Sequence, residues 1–295
     1  MDGGWKVREL PTRRLGDLSV SAIGMGAMTL TQVEGFDVAR GGRAVHAALD
    51  AGVTFFDTAD SYGPSEAYGV NELALINALR SYPGALDRVV VATKGGHTRH
   101  ENASWWIDGS AAHLARAARE SASRLGLDSL PLYQLHRPDP KVDYAESMGA
   151  LRQLVDDGIV QHVGVSNVNP AQLAQSLHVL GGALVSVQNE YSPVARSEAP
   201  MIALCERHGL AFLAWGPLGG MRAAKGLGQT SSAFAEIAVE RGVSPQRVAI
   251  AWALAASPAL IPIPGASRVE SVLDTVAAVD LELTPDELRR LDGDA

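Results

Sequence analysis

One cysteine, Cys205, stands in 295 residues, which removes an internal disulfide framework and a cysteine-built zinc site and fits a reducing cytosol. An excess of positive charge is missing too. Against 25 Lys+Arg there are 33 Asp+Glu, a formal net charge of −8, so a basic stripe that would neutralise nucleic-acid phosphates is not expected. No apolar run reaches the ~18–20 residues that cross a bilayer. The opening Met1-Asp2-Gly3-Gly4-Trp5-Lys6 lacks the charged-then-apolar pattern of a secretory leader. These absences together predict a cytoplasmic protein with neither a nucleic-acid nor a membrane partner. Metal-ligand spacings are also lacking: neither His-Glu-x-x-His nor an acidic calcium loop occurs, and no metal site is expected.

What is present reads as a globular chain, since 46% hydrophobic and 20% charged residues exclude wholesale disorder. After a stretch from Lys6 to Leu18 that can form a hairpin, short apolar bursts alternate with amphipathic segments. The bursts cover residues 20–25, 54–56, 89–93, 132–135, 160–165, 184–188, 211–215 and 260–263. They are mostly continuous, as strands buried on both faces are. Helical spacing occupies residues 43–50, 71–79, 111–125, 144–157, 172–180, 199–208, 232–241 with 245–256, and 269–277, and a last short helix opens at Thr284-Pro285. Asn169-Pro170 and Ser244-Pro245 put a capping residue before a first-turn proline, while Gly158, Gly209 and Gly242 sit just past helix ends. Eight strand-then-helix units without a break predict one parallel (β/α)8 barrel spanning residues 1–295 with a short N-terminal hairpin. An open dinucleotide-binding sheet would carry Gly-x-Gly-x-x-Gly after its first strand. Here Gly24-Met25-Gly26-Ala27-Met28 lacks the third glycine.

In such a barrel the chemistry sits at the carboxyl ends of the strands. Strand two ends in Asp57-Thr58-Ala59-Asp60-Ser61-Tyr62-Gly63, strand three in Lys94 and strand four in His136. Adjacent strands lie roughly 5 Å apart, so a carboxylate, an ammonium, an imidazole and a phenol converge over one rim. That set makes a proton donor. A phenol is a poor acid at neutral pH unless its ionised form is favoured; Lys94 beside Tyr62 is expected to do this, with Asp57 holding the lysine charged and His136 orienting a carbonyl oxygen. A hydride must come from elsewhere, usually from a nicotinamide. The long stretch 95–108, with Trp105-Trp106, is expected to wall a substrate pocket together with Met28, Tyr62, His97 and His136, and His100 is a further candidate.

Five separate runs, in order and one per strand end, carry a resemblance: Asp57-Thr58-Ala59…Tyr62-Gly63, Lys94, Leu135-His136-Arg137-Pro138, Gly164-Val165-Ser166-Asn167 and Ile261-Pro262-Ile263-Pro264-Gly265. Over nearly its whole length the chain resembles the aldo-keto reductase superfamily, whose fold is a (β/α)8 barrel. The resemblance implies that Tyr62 is the general acid, that Asp57 and Lys94 tune it, and that His136 positions the carbonyl. It further implies that Ser166, Asn167 and Gln188 bond the nicotinamide carboxamide and that Trp215 stacks on the ring, with Gly26, Met28 and Gly216 beside them. Pro217, Leu218 and Gly220 would underlie the pyrophosphate, and Gly265, Ser267, Arg268, Ser271 and Thr275 the adenosine side. NADPH is the coenzyme expected, with NADH as the alternative. The substrate is then a small carbonyl compound, and runs around strands four, six and seven resemble pyridoxal reductases. A monomer and a homo-oligomer both fit. Two other readings are a Schiff-base lyase or aldolase using Lys94, and a regulatory NADPH-binding subunit.

Overall fold

The computed structural model describes residues 8–32, 35–64, 68–99, 104–220, 226–227 and 232–293. An antiparallel hairpin of β1 (Thr12–Leu15) and β2 (Leu18–Ser21) comes first. The sequence placed this hairpin between Lys6 and Leu18. The paired residues lie later, Val20 and Ser21 leave the first apolar burst to join the hairpin, and Lys6 lies outside the described residues. Next come β3 (Met25–Gly26), α1 (Val38–Asp50), β4 (Phe55–Asp57), α2 (Val70–Arg80) and β5 (Val90–Gly95). The stretch read as a loop then forms a second hairpin, β6 (His97–Arg99) with β7 (Trp105–Ile107), followed by α3 (Ala111–Leu125). The remaining units are β8 (Leu130–Leu135), α4 (Tyr144–Asp156), β9 (Val160–Ser166), α5 (Pro170–Leu180), β10 (Leu184–Glu190), α6 (Ala199–His208) and β11 (Ala211–Trp215). Two helices, α7 (Ser232–Arg241) and α8 (Pro245–Ala256), precede β12 (Leu260–Pro262), and α9 (Val269–Val276) and α10 (Pro285–Gly293) end the described chain.

Local chemistry sets these boundaries. The Asn169 side chain accepts from Gln172 N–H while Gln172 bonds back to Asn169 N–H, a reciprocal cap with Pro170 in the first turn of α5. Ser244 caps α8 in the simpler way through Arg247 N–H, and Gly126 and Gly209 close α3 and α6 in the left-handed region.

The main sheet is parallel, in the order β3-β4-β5-β8-β9-β10-β11-β12. It closes on itself: Gly24 N–H donates to Pro262 O (3.0 Å) and Gly26 N–H to Pro264 O (3.1 Å), with Gly26 bridged to Gly265. A Cβ on Gly26 would stand 2.8 Å from Ile263 O, so the seam needs glycine there. The expected barrel is therefore the fold found.

Inside the barrel, Phe55, Val90, Ala92, Leu132, Val185, Leu213 and Ile261 form one buried cluster, with Leu15 and Val20 of the hairpin plugging its base. Their strand neighbours Phe56, Val91, Tyr133, Val163, Val187, Phe212 and Leu260 point outward into the layer between sheet and helices. The two clusters are the two faces of a pleated strand with period two. Continued towards the carboxyl ends, the inward parity falls on Asp57, Lys94, Gln134, Ser166 and Trp215; in β10 the register shifts between Leu184 and Ser186, and Gln188 follows the parity of Ser186, not that of Val185. Truncating Leu15, fully buried in the plug, to Ala is expected to lower the unfolding free energy by about 2–5 kcal/mol, read from urea denaturation.

Candidate active site

Lys94 is the centre of the rim. Its side chain is 0% exposed and Asp57's 3%, at a separation of 2.6 Å. Its ammonium has three donors, and each has an acceptor: Asp57 Oδ1, Thr58 O (2.9 Å) and Tyr62 OH (3.2 Å). Burial works against the charged form, but the Asp57 carboxylate and the bond with Tyr62 outweigh it, and the lysine pKa is raised. The other carboxylate oxygen is also held. Asp57 Oδ2 accepts from Gln134 Nε2 (3.0 Å) and Gln188 Nε2 (2.8 Å), and Gln188 Nε2 lies 3.3 Å from Gln134 Oε1. Gln134 was not singled out in the sequence, although it sits two residues before His136 and so shares its face of the sheet. Gly164, opposite Gln134 in the β8–β9 register, leaves room for it: a Cβ there would stand 2.8 Å from Gln134 Cγ.

Tyr62 hangs from a loop tied down behind the barrel. Thr58 Oγ1 donates to Asn71 Oδ1 (2.6 Å), and Asn71 Nδ2 donates to Ala27 O (2.8 Å). The sequence led us to expect a phenol of lowered pKa. The net shift is upward: burial raises it, the Lys94 ammonium pulls it back, and the Asp57 carboxylate raises it again. The resting phenol therefore stays protonated, with its conjugate base already provided with a cation. His136 packs edge-on against Tyr62 (centroids 5.5 Å apart) and against His97 (5.0 Å), and its buried Nδ1 has no partner among the described residues. Burial, then the charges of Lys94 and Arg137, push its pKa well below the ordinary value, so the ring is neutral. His97 stacks on Trp105 (4.5 Å) and is pushed down to about 4, first by burial and then by Arg137.

Asn167 has φ 58, the one positive φ outside glycine among the described residues, a strain that asparagine tolerates better than most. The turn is held by Asn167 N–H donating to Gln188 O (3.0 Å) and Asn167 Nδ2 donating to His136 O (3.1 Å). Ser166 Oγ donates to Gln188 O (2.7 Å). The amide donors of Asn167 and Gln188 are thus engaged within the protein, which leaves their carbonyl oxygens as acceptors.

A cavity of about 380 Å³ joins these groups. Of the residues singled out in the sequence, Gly26, Met28, Asp57, Tyr62, His97, Trp105, His136, Ser166, Asn167, Gln188, Trp215, Gly216, Pro217, Leu218, Gly220 and Gly265 line it. Lys94 lies behind Tyr62. Thr29, Gln32 and Arg137 line the cavity as well and were not anticipated. Trp106 does not line it. Neighbouring residues of β7 face opposite ways, so Trp106 opens instead onto a separate cleft with Asp60, Tyr68 and His113. Ser267, Arg268, Ser271 and Thr275 lie beyond Gly265, outside the cavity; the Thr275 hydroxyl bonds the Ser271 and Val272 carbonyls of its own helix. His100 lies outside the described residues.

The family model described as "Aldo/keto reductase family" matches residues 22–293. A pyridoxine 4-dehydrogenase of Escherichia coli is 34% identical over 96% of this chain and 97% of its own. A 6-dehydroglucose reductase of Novosphingobium aromaticivorans is 34% identical, covering 90% of each chain. Among solved structures, an aldo/keto reductase from Klebsiella pneumoniae in complex with NADP and acetate superposes with a TM-score of 0.81 at 29% identity, over 96% of this chain and 95% of that one.

The low pKa of His97 has a sign that can be measured. Below pH 6.5 the unfolded chain takes up a proton that the folded His97 refuses down to about 4, so stability is lost as pH falls through that window. The urea midpoint of the wild type should fall more steeply between pH 6.5 and 4 than that of His97→Gln; parallel profiles would contradict the assignment.

Proposed function

The chain belongs to the aldo/keto reductase family, and from that premise we propose that it reduces an aldehyde or ketone to the alcohol with NADPH, Tyr62 giving the proton. The observation that carries this reading is the Tyr62 hydroxyl, at the cavity wall and 3.2 Å from an ammonium saturated by Asp57, Thr58 and Tyr62 itself.

The cavity suits a dinucleotide. Trp215 Nε1 is buried without a partner among the described residues. Gly216, Gly219 and Gly220 turn the chain at φ 60, 80 and 82, and a Cβ on Gly220 would meet nothing within 4 Å among the described residues, a backbone cradle beside the indole. Ser166, Asn167, Gln188 and Trp215 would hold the nicotinamide end, Gly216 to Gly220 the pyrophosphate, and Gly265, Ser267, Arg268, Ser271 and Thr275 the adenosine end. The bound NADP of the Klebsiella relative supports the choice of coenzyme. When bound, the coenzyme supplies the hydride.

The protein's own part is placement and proton transfer. A carbonyl oxygen between Tyr62 and His136 accepts from the phenol and from the neutral imidazole, which fixes its carbon in the cavity. As negative charge builds on that oxygen, the Tyr62 proton moves to it, the O–H bond of the phenol breaks and that of the alcohol forms. The tyrosinate left behind faces the Lys94 ammonium in a site with little water, where the attraction is strong. Asp57, held by two glutamine amides, keeps that ammonium charged and aimed.

A Schiff-base role for Lys94 is disfavoured by the same observation, because a nucleophilic amine needs a free lone pair and this one is a fully bonded ammonium. On substrate, the E. coli relative favours a pyridoxal-like aldehyde.

Tyr62→Phe is expected to keep NADPH binding, followed by coenzyme fluorescence, while kcat falls by about 10²–10⁴; near-normal turnover would refute the acid. The two tryptophans should separate as well. Trp105→Ala is expected to shift KM across a carbonyl panel including pyridoxal, whereas Trp106→Ala leaves the order of preference intact.

A further inference from the structure

Arg137 follows His136 directly and is half-buried at the cavity wall. Its charge is felt at Tyr62, His97 and His136, since it contributes to the shift of each. Yet no carboxylate lies within 4.0 Å of its guanidinium, and it has no hydrogen-bond partner among the described residues. The nearest acid in sequence, Asp139, is committed elsewhere: Oδ2 accepts from Gly109 N–H (3.0 Å) and Oδ1 from Lys141 N–H (2.8 Å). Four other half-buried arginines show the contrast, although Arg40 also has an unpartnered Nε among the described residues. Arg124 pairs with Glu72 and Arg247 with Asp274, while Arg13 and Arg196 are spent on backbone carbonyls.

None of the Arg137 guanidinium nitrogens is among the buried unpartnered atoms of the described residues, so the group reaches the open space of the cavity, where an anionic ligand can bond it. The charges along the cavity do not cancel without one. Asp57 and Lys94 neutralise each other, His97 and His136 are uncharged, and Arg137 is left as an unbalanced positive charge. The carboxylate that approaches from the other side, Glu190, does so only near Gly216 at the end of β11, three strands away round the sheet from β8. Arg137 also lines an adjoining cleft of about 310 Å³ with Ile107, Pro138, Tyr144 and Gln172, so a group bound to it can extend outward from the carbonyl site.

We propose that Arg137 is a subsite for an anionic substituent of the substrate, so that the preferred substrates are aldehydes or ketones carrying a carboxylate or a phosphate. The proposal rests on the carbonyl-reductase reading above. A planar guanidinium suits both anions, which accept two parallel N–H bonds from it.

Matched substrate pairs test it: 4-formylbenzoate against its methyl ester for a carboxylate, and glyceraldehyde 3-phosphate against glyceraldehyde for a phosphate. In the wild type, kcat/KM for the charged member of at least one pair should exceed that of the neutral member by about 10- to 100-fold, the range for a charge-assisted bond, and that pair names the anion. The ratio should fall to about one in Arg137→Met and recover in part in Arg137→Lys. As a measurement independent of any variant, the wild-type ratio should shrink as ionic strength rises. Neutral aldehydes reduced as well as charged ones in both pairs would overturn the anionic subsite and leave the reductase reading standing. An unchanged ratio in a folded Arg137→Met with weakened NADP binding would overturn it too, and would assign Arg137 to the coenzyme. No turnover of any member with NADPH or NADH would overturn both readings together.

Discussion

A lysine ammonium with no solvent around it has to find an acceptor for every proton it carries, and much of the rim follows from that requirement at position 94. Bringing Lys94 and Asp57 into the barrel costs several kcal/mol of hydration per ion. The cost is offset only because the pair touches at 2.6 Å and because the remaining donors and lone pairs are filled. Filling them recruits Thr58 and Tyr62 on one side and Gln134 and Gln188 on the other. The phenol is therefore at once the third acceptor of a buried cation and the group at the cavity wall. One electrostatic demand sets both the stability of the rim and the position of its proton donor.

Around that fixed centre the loops supply difference. The β6–β7 hairpin sends Trp105 into the cavity, sandwiched between His97 and Arg99, and Trp106 away from it. Arg99 also donates to Gly63 O (2.6 Å), so the hairpin is fastened to the residue after the acid. Arg137 and Asn167 occupy adjoining strand ends, one as an uncompensated charge and the other as a strained turn. The strands carry the reaction chemistry, and the loops and turns that follow them shape what can reach it.

The fold was largely legible because parallel strands buried on both faces leave short continuous apolar runs, and the caps at Asn169 and Ser244 mark where helices begin. The first strand was misplaced because the run from Val20 to Met25 is continuously buried and mostly apolar, although Val20 and Ser21 belong to the hairpin beneath the barrel. The 95–108 stretch was read as loop because its two strands are only three residues each, too short for a periodic signal. Gln134 escaped notice because a glutamine in a buried strand has no local signature. Its meaning comes from Asp57, 77 residues away in sequence.

The order and type of the elements and the chemical identity of the rim residues were set by sequence, because hydrophobic period and residue type are local properties. The direction of the Tyr62 shift, the parting of Trp105 from Trp106 and the isolation of Arg137 were decided only by tertiary structure. The first and last depend on burial and on charges brought together from distant parts of the chain, and the parting of the tryptophans on the pairing of β6 with β7 over the barrel mouth; no single window of residues contains these.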